Sequence, residues 1–422
     1  MAANLPRTLK DIVELSPKDW LIYNGWIAFY RVTGLWRYPI PASGDFETMT
    51  HKDLVYWVYK ARFPIEKAVK NSGLEAFFAK QASFRWRLPP GFVPSSELQL
   101  SAVGDLMDHP YLPNSGDSLY EEVADLIFGA DISMANLECV IYPKGSDTFK
   151  LTLQSAPPLY YKLESFNAAK GFRGRNYSVM ATANNHSLDC GEEGVEITMR
   201  TLKAGGIAFN GTNESEKDAH RATIIEKNRF RIGVISHTFG LNAKKPPKEK
   251  PWIANRTHLN GKISEIDFGQ IENQLRFCRE NKVDAVIAQL HWGLEHEYYP
   301  RPEQLEVAHH LAELGVDAVI GHHPHVVQPT EWYQTLRDPD RVVPIYYSLG
   351  NLITPLSHPA FCRSAVARIK FAKGVCRDGS TRTYVQEART AEVVQEINKK
   401  DGKIHLVRKH TDTATGVTHG IY

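Results

Sequence analysis

The stretch VDAVIGHHPHVVQ, residues 316–328, joins an apolar run to three histidines that lie within four positions. A short run of valine, alanine and isoleucine is typical of a buried strand, and GHHPH follows this run directly. Neutral imidazoles that leave water need hydrogen-bond partners, and a metal ion is a common partner of several imidazoles placed side by side. The stretch therefore predicts a buried strand that ends at a metal site, if further ligands arrive there.

The rest of residues 97–355 alternates between apolar strand-like runs and helical patterns. PEQLEVAHHLAELG, residues 302–315, has apolar residues at helical spacing, a proline at its start and a glycine at its end. Strands that alternate with helices predict an α/β core. The chain has 422 residues, more than one hydrophobic core usually holds, so we expect this core to carry additional segments.

Three segments are predicted: residues 1–96, 97–380 and 381–422. The first is dense in Trp, Tyr and Phe, as in DWLIYNGWIAFY at residues 19–30, and ends in the Pro/Gly-rich LPPGFVPSS. It is interpreted as a helical extension that either packs against the core or forms an aromatic wall for a peptide or another bulky substrate. The last segment is interpreted as a strand-and-loop extension packed on the core.

The amino-acid composition limits the cellular compartments and the binding partners to be expected. The net charge is +2, from 50 Lys+Arg and 48 Asp+Glu, so no overall field favours nucleic acid or an acidic membrane as a partner. The five cysteines form no CxxC pair, which argues against a secreted disulfide framework and a zinc ribbon. The apolar stretch near the N-terminus is shorter than the roughly 18–20 residues of a membrane span. We therefore expect a cytoplasmic protein without a membrane anchor.

Polar side chains follow five of the strand-like runs. They are Asp105, Asp108 and His109; Asn136 and Glu138; Asn184, Asn185, His186 and Asp189; His291, Glu295 and His296; and His322, His323 and His325. Because ligands of α/β proteins bind at the carboxyl ends of strands, these side chains are expected to converge on one metal site. Carboxylates, amides and imidazoles without thiolate suit one divalent ion, and they leave Ca, Mn, Mg and Zn open.

The motifs GDLM, ANLE, ANNHSLDCGEEG, HWGLEH, GHHPHVVQ and YYSLGN occur in this order over residues 97–355. Their succession resembles the CapA family of poly-γ-glutamate capsule proteins, a branch of the calcineurin-like metallophosphoesterase superfamily. The resemblance implies an α/β fold, a two-sheet β-sandwich flanked by helices, with a metal at the strand ends. It also implies His186 as a catalytic residue and six metal-site positions: Asp105, Glu138, Asn185, His291, His323 and His325.

Two departures from the family pattern bear on the reaction. The superfamily usually begins with Asp-x-His, whereas the third position here is Met107, a poor ligand for a hard dication. This argues against a complete binuclear centre. The family usually has tyrosine where this chain has His296, which places a second titratable imidazole near the proposed metal ligand His291.

His186 and His296 are predicted to act as acid and base, oriented by carboxylates such as Asp189 and Asp108. Two such pairs around one Lewis acid suit the inversion of a Cα centre, and the chain resembles a lasso-peptide epimerase within the same family. The expected substrate is then a ribosomal precursor peptide with a C-terminal Trp, contacted by Trp292, Glu295 and Asn351. The alternatives are a metal-dependent phosphoesterase, a poly-γ-glutamate biosynthesis or hydrolysis protein, and a non-catalytic binding module.

Overall fold

The computed structural model describes residues 17–143 and 158–409. Parts of two predicted extensions, residues 1–16 and 410–422, lie outside the described residues. The helices in the described part of the chain are α1 Pro17–Thr33, α2 His51–Arg62, α3 Leu74–Gln81, α4 Leu112–Ser115, α5 Ala124–Ile127, α6 Leu163–Ala169, α7 Gly191–Ala204, α8 Glu216–Ala219, α9 Gly269–Glu280 and α10 Pro302–Leu314. Short 3₁₀-helices occur at Gly116–Leu119 and Ile263–Glu265.

The strands fall into two large sheets and two small pairs. In chain order they are β1 Val93–Leu106, β2 Ile132–Leu137, β3 Val140–Ile141, β4 Tyr160–Tyr161, β5 Gly171–Phe172, β6 Arg175–Asn176, β7 Val179–Ala181, β8 Ala208–Asn210, β9 Thr223–Lys227, β10 Phe230–Thr238, β11 Ala285–His291, β12 Ala318–His322, β13 Thr330–Gln334, β14 Val342–Tyr346, β15 Asn351–Ile353, β16 Arg363–Val375, β17 Thr381–Asn398 and β18 Lys403–Arg408.

The larger sheet has the order β18-β17-β16-β1-β2-β7-β8, with β15 also paired to β1, and the smaller sheet has the order β13-β14-β12-β11-β10-β9. The pairs β1/β2 and β2/β7 are parallel, as are β10/β11 and β11/β12. Parallel pairing aligns carboxyl ends, so Asp105 lies beside Asn136 in one sheet and His291 beside His322 in the other. The register thus brings the predicted polar residues to one edge of each sheet.

The two sheets pack face to face. Leu100 and Met134 from the larger sheet share a buried apolar cluster with Ile287 and Ile320 from the smaller sheet. The outer face of the smaller sheet is covered by α9 and α10, and that of the larger sheet by the segments around α4, α5 and α6. The predicted two-sheet β-sandwich flanked by helices is confirmed.

The N-terminal extension places its aromatic side chains in two environments. Tyr23, Trp36 and Tyr56 are buried in a separate cluster between α1 and α2. Trp26 and Phe29 on α1 are 48% and 50% exposed, so part of the aromatic surface is open to solvent. Within the described residues, none of the helices is both long and apolar enough for a membrane crossing.

The C-terminal segment is built into the larger sheet. β17 pairs with β16 from Arg363↔Val394 to Val375↔Thr381, and β18 pairs with β17 at the sheet edge. These strands therefore extend the sheet by hydrogen bonding, beyond the packing contact that the sequence predicts.

Candidate metal centre

The centre is formed where β1, β2, β11 and β12 end and where the turn after β7 begins. Among the described residues, three overlapping groups hold ligand atoms close enough to share one ion: Glu138 with His291 and His323, Asp105 with Glu138 and His325, and Glu295 with His323 and His325. His323 and His325 have φ angles of 95° and 57°. Such angles are uncommon outside glycine and are typical of residues constrained by a functional site.

Glu138 lies at the middle of the centre. One carboxylate oxygen, Oε1, is 3.8 Å from His291 Nε2 and 3.5 Å from His325 Nε2. The side chain is fully buried, and neither oxygen accepts a hydrogen bond from the described residues. Burial raises the pKa of Glu138 well above its usual range. A buried carboxylate without donors is costly unless a cation compensates it, so these unpaired oxygens fit a metal ion.

We call Asn185, His291 and His323 the Asn185 side of the centre. Asn185 Oδ1 lies 2.9 Å from His291 Nε2, and both ring nitrogens of His323 are buried without a partner among the described residues. Burial lowers the pKa of His291 and of His323 well below the usual range. Both imidazoles are therefore neutral, which is the form that binds metals.

We call Asp105 and His325 the Asp105 side. Asp105 Oδ1 accepts hydrogen bonds from Asn136 Nδ2 at 2.8 Å and from His322 Nδ1 at 2.9 Å. Burial raises the pKa of Asp105, but the hydrogen bonds from His322 and His325 outweigh it and hold that pKa well below its usual range. Met107 is buried in the apolar cluster of the larger sheet and adds no ligand here.

The surroundings of His325 favour its protonated form. Its Nδ1 donates to Asn351 Oδ1 at 2.8 Å, which leaves Nε2 facing Glu138. Burial lowers the pKa of His325, but Glu138 and Asp105 raise it to about 10. A proton on His325 and a divalent cation are alternative counter-charges for the same two carboxylates, so metal binding would release this proton.

His186 and His296 border different sides of the centre. His186 Nδ1 lies 2.6 Å from Asp189 Oδ2, and the ring interacts electrostatically with His291 and His323. The ring of His296 lies 6.0 Å from that of His325, measured between centroids. The structure thus pairs His186 with the predicted carboxylate and places the two imidazoles against different ligands.

His296 has an unusual environment. It is fully buried, its φ is 64°, and neither ring nitrogen has a hydrogen-bond partner among the described residues. The nearest carboxylate oxygen, Glu295 Oε2, lies 3.4 Å from Nε2. Burial lowers the pKa of His296 well below the usual range, so its ring is a neutral base with both nitrogens unused.

Three predicted residues lie in places that their predicted roles do not fit. Asp108 accepts from the backbone of His109 and contacts Ser165, and burial raises its pKa to about 6; it pairs with neither imidazole. Trp292 is fully buried against Tyr347 and donates to the carbonyl oxygen of that residue at 3.0 Å.

Asn351 is also fully buried, and its side chain orients His325 instead of facing a substrate. The reason is shared with Asp108 and Trp292: each satisfies its polar atoms inside the protein, which leaves none for a ligand. Glu295 differs from them, because its side chain is partly exposed and contributes to one of the candidate ligand groups.

Four residues outside the predicted set hold the segment that carries His296. Trp57 Nε1 donates to Glu295 Oε2 at 2.6 Å, and Lys60 Nζ lies 2.8 Å from Glu297 Oε1. Tyr56 and Arg301 bind the same Glu297 carboxylate. Trp57 and Glu295 are separated by 238 positions, so no local pattern in the sequence indicates this contact.

Residues 99–355 are similar to a known protein family. A profile of the family described as bacterial capsule synthesis protein PGA_cap matches residues 99–355. The chain is 25% identical over 334 residues to the PGA biosynthesis protein CapA of Bacillus subtilis, which spans 76% of this chain and 81% of that protein. It is 24% identical over 268 residues to the capsule biosynthesis protein CapA of Bacillus anthracis, which spans 61% and 60%.

A probable polyglutamine synthesis accessory protein of Mycobacterium tuberculosis is 26% identical over 227 residues, covering 53% of this chain and 55% of its own length. The profile match begins in β1 and ends after β15, so it includes Asp105, Glu138, Asn185, His291 and His323. The metal centre therefore lies wholly inside the matched region, whereas the helices of the N-terminal extension lie outside it.

Proposed function

Because the chain belongs to the bacterial capsule synthesis protein family, we propose that it is a metal-dependent enzyme that inverts a Cα centre of a peptide substrate. The observation that carries this proposal is His296, a buried and neutral imidazole beside the metal centre with both nitrogens unused. An epimerase needs two proton-transfer groups at one carbon.

The donor set fits one divalent cation. Glu138 and His323 have buried polar atoms without partners among the described residues, and both belong to the same candidate ligand group. Asp105, Glu138, Asn185, His291, His323 and His325 are the residues that would hold the ion. When bound, a divalent cation supplies a Lewis acid that draws electrons from a carbonyl group and acidifies the neighbouring Cα–H.

The side chains divide the proton transfer between them. Asp189 holds His186 at Nδ1, so Nε2, which lies 3.5 Å from Asn242 Nδ2, is the nitrogen that would exchange a proton with a substrate. His296 stands by the other side of the centre, next to His325, and Glu295 is the carboxylate nearest to it. One imidazole would remove the Cα proton while the other returns a proton to the opposite face.

The names of the relatives favour a second candidate more directly than they favour epimerisation. Those relatives are a PGA biosynthesis protein, a capsule biosynthesis protein and a probable polyglutamine synthesis accessory protein. A metal-dependent hydrolase or biosynthesis protein for γ-linked glutamate would use Asn185, His186, His291 and His323 in the same positions. Phosphoester hydrolysis at a binuclear centre is less suited, because Met107 lies in the apolar cluster.

The proposal locates the reaction in the cytoplasm, with a ribosomal precursor peptide as substrate. The five cysteines support this location, because all of them are free thiols. The exposed Trp26 and Phe29 of α1 favour a peptide as binding partner, since aromatic side chains bury a large area on binding.

Incubation in heavy water tests the proposal. Protein loaded with Mn²⁺ is mixed separately with a linear peptide ending in Trp, a γ-linked glutamate oligomer and p-nitrophenyl phosphate. We expect deuterium at Cα and inversion in the peptide, with little phosphate release. Net inversion should fall by about 10²-fold or more in both His186→Ala and His296→Ala. Cleavage of the glutamate oligomer without Cα exchange in the peptide would favour the second candidate.

A further inference from the structure

A cavity of about 460 Å³ lies between a loop of the N-terminal extension and the amino end of α10. Residues 41–45 and Thr48 form one wall, and Leu294 and Gln304 belong to the other. Phe239 also lines the cavity, and its ring centroid is 4.6 Å from that of His323. The cavity therefore borders the metal centre, with one aromatic ring between them.

Gln304 lines this cavity and has an unused side-chain donor. Its side chain is at the third position of α10, is 3% exposed, and accepts from the backbone N–H of Arg301 through Oε1 at 3.0 Å. This bond fixes the amide orientation, so Nε2 is the free end, and Nε2 has no acceptor among the described residues. A buried N–H₂ without an acceptor is unfavourable, and a ligand oxygen would satisfy it.

The surroundings of Gln304 favour an anion. The amino end of the 13-residue helix α10 carries the positive end of its dipole. Arg301 and Lys60 both lie within 3 Å of the single carboxylate of Glu297, so two basic side chains share one anion in this buried cluster. The cluster reaches the cavity through Arg301.

The cavity wall also contains acidic residues, and the basic side chain of Lys262. Glu265 and Glu303 are exposed at its mouth, and Asp45 lies 3.7 Å from Arg256. Phe239 and Leu294 add an apolar surface beside the donor. The site thus combines an anion-binding end with room for an apolar group.

We propose that this cavity binds a free carboxylate of the substrate at the amino end of α10, through Gln304 Nε2. The inference rests on the proposed function, because it names a substrate group that the same site receives. Two sources offer this chemistry: the C-terminal carboxylate of a peptide, and the side-chain or terminal carboxylates of a γ-linked glutamate oligomer.

Calorimetric titration of the metal-loaded full chain tests the inference with three probes: N-acetyl-tryptophan, its carboxamide, and γ-linked triglutamate. Gln304→Glu is the decisive variant, because it keeps the Oε1 acceptor for Arg301 and replaces the donor by an oxygen. The parent should bind N-acetyl-tryptophan about tenfold or more tightly than the carboxamide. Gln304→Glu should remove that preference, whereas Gln334→Glu, the same exchange at an exposed residue of β13, should preserve it.

The third probe identifies the source. Weaker binding of triglutamate than of N-acetyl-tryptophan supports a peptide terminus, and tighter binding that Gln304→Glu also weakens supports the polymer. Equal affinity for acid and carboxamide, or an acid preference that survives Gln304→Glu, overturns the inference, since the carboxylate would then bind elsewhere, for example at the metal.

The heavy-water assay on the same preparations separates this outcome from failure of the proposed function. Cα exchange with no role for Gln304 overturns the cavity inference alone. If the protein prefers the acid over the carboxamide through Gln304 but exchanges no Cα proton, the carboxylate site is supported and the epimerase proposal is overturned.

Discussion

The two sides of the metal centre have similar side chains in different hydrogen-bonding states. The Asn185 side offers an amide and two neutral imidazoles; both ring nitrogens of His323 lack a partner among the described residues, whereas His291 Nε2 lies 2.9 Å from Asn185 Oδ1. The Asp105 side has both carboxylate oxygens occupied by donors, and Met107 in the apolar cluster where the superfamily has a histidine. The difference is that the Asn185 side has ligand atoms without partners, at His323, whereas the oxygens of Asp105 already accept hydrogen bonds.

The two sides are also supported differently. The residues of the Asn185 side lie at the ends of β11 and β12 and in the turn after β7, inside the sandwich. The segment next to the Asp105 side is tied to the N-terminal extension: Ile65 N donates to the His296 carbonyl oxygen at 2.9 Å, and Tyr298 N donates to the Ile65 carbonyl oxygen at 2.9 Å. The extension, which lies outside the family match, thus fixes His296 in its left-handed conformation.

The largest expected effect is on metal binding, and Glu138 is the residue to change because it faces both sides. Glu138→Gln removes the negative charge and should weaken Mn²⁺ binding by more than the roughly 10–100-fold typical of changes to residues that only orient metal ligands. Bound metal after dialysis and the dissociation constant by titration measure this. Asp108→Asn is the matched carboxylate control and should bind Mn²⁺ like the parent. Equal metal loss in both variants would contradict the position assigned to Glu138.

Much of this arrangement is predictable from the sequence, and the reason is the parallel register. Parallel register brings Asp105 and Asn136 to one edge of the larger sheet, and His291 and His322 to one edge of the smaller sheet, whatever lies between them in the chain. The motif order also predicts the sandwich. Side-chain direction after a strand is not encoded in this way, and Asp108, two positions past β1, turns toward Ser165 instead of the centre.

Contacts between distant segments are the other part that sequence reasoning misses. Trp57 and Glu295 show no spacing or motif that relates them, and Trp292 in HWGLEH resembles a substrate contact until its burial is known. Gln304 looks like an ordinary helix residue in PEQLEVAHHLAELG. Its significance depends on a cavity wall that the N-terminal extension supplies.

A second test uses the pH dependence of stability to measure the ion cluster of Glu297, which holds the segment next to the Asp105 side. Burial raises the pKa of Glu297, but Arg301 and Lys60 outweigh burial and lower it to about 2, from an ordinary value of 4.5. The carboxylate is therefore favoured in the folded state. The contribution of the ionised carboxylate to the free energy of unfolding is on the order of 3 kcal/mol in total. This contribution is fully present above pH 4.5 and is lost as the pH falls toward 2.

Urea unfolding midpoints between pH 7 and pH 3 measure this loss. Glu297→Gln should lower stability at pH 7, because it leaves Lys60 and Arg301 buried without their anion, and should flatten the acid limb of the profile. Mn²⁺ affinity at pH 7 should change less than in Glu138→Gln, since the Asn185 side keeps its support. An acid limb as steep as that of the parent would argue against a role for this ion cluster.

A third test adds the imidazole that the Asp105 side lacks at position 107. Met107→His restores the superfamily residue type, but at a position whose side chain packs in the apolar cluster of the larger sheet. We expect a loss of about 1–3 kcal/mol in the free energy of unfolding, because the imidazole nitrogens would lack partners there. The ratio of bound metal to protein should stay at its parent value. A second tightly bound ion in the variant would show that only the missing histidine distinguishes the sides.

The smallest expected effect concerns Trp57, which sharpens the comparison because it acts through Glu295, the carboxylate nearest to His296. Trp57→Phe keeps an aromatic ring beside Phe46 but removes the indole N–H that donates to Glu295 Oε2 at 2.6 Å. Glu295 Oε2 also lies 3.4 Å from His296 Nε2, so the freed carboxylate should shift against the imidazole. We expect inversion to slow by about tenfold or less, the effect of one hydrogen bond to a charged group, with bound metal unchanged. Trp26→Phe, on the exposed face of α1, is the control and should keep the parent rate. A purely structural role for Trp57 predicts a lower melting temperature with an unaltered pH–rate profile, whereas a positioning role predicts a shifted profile at nearly constant melting temperature.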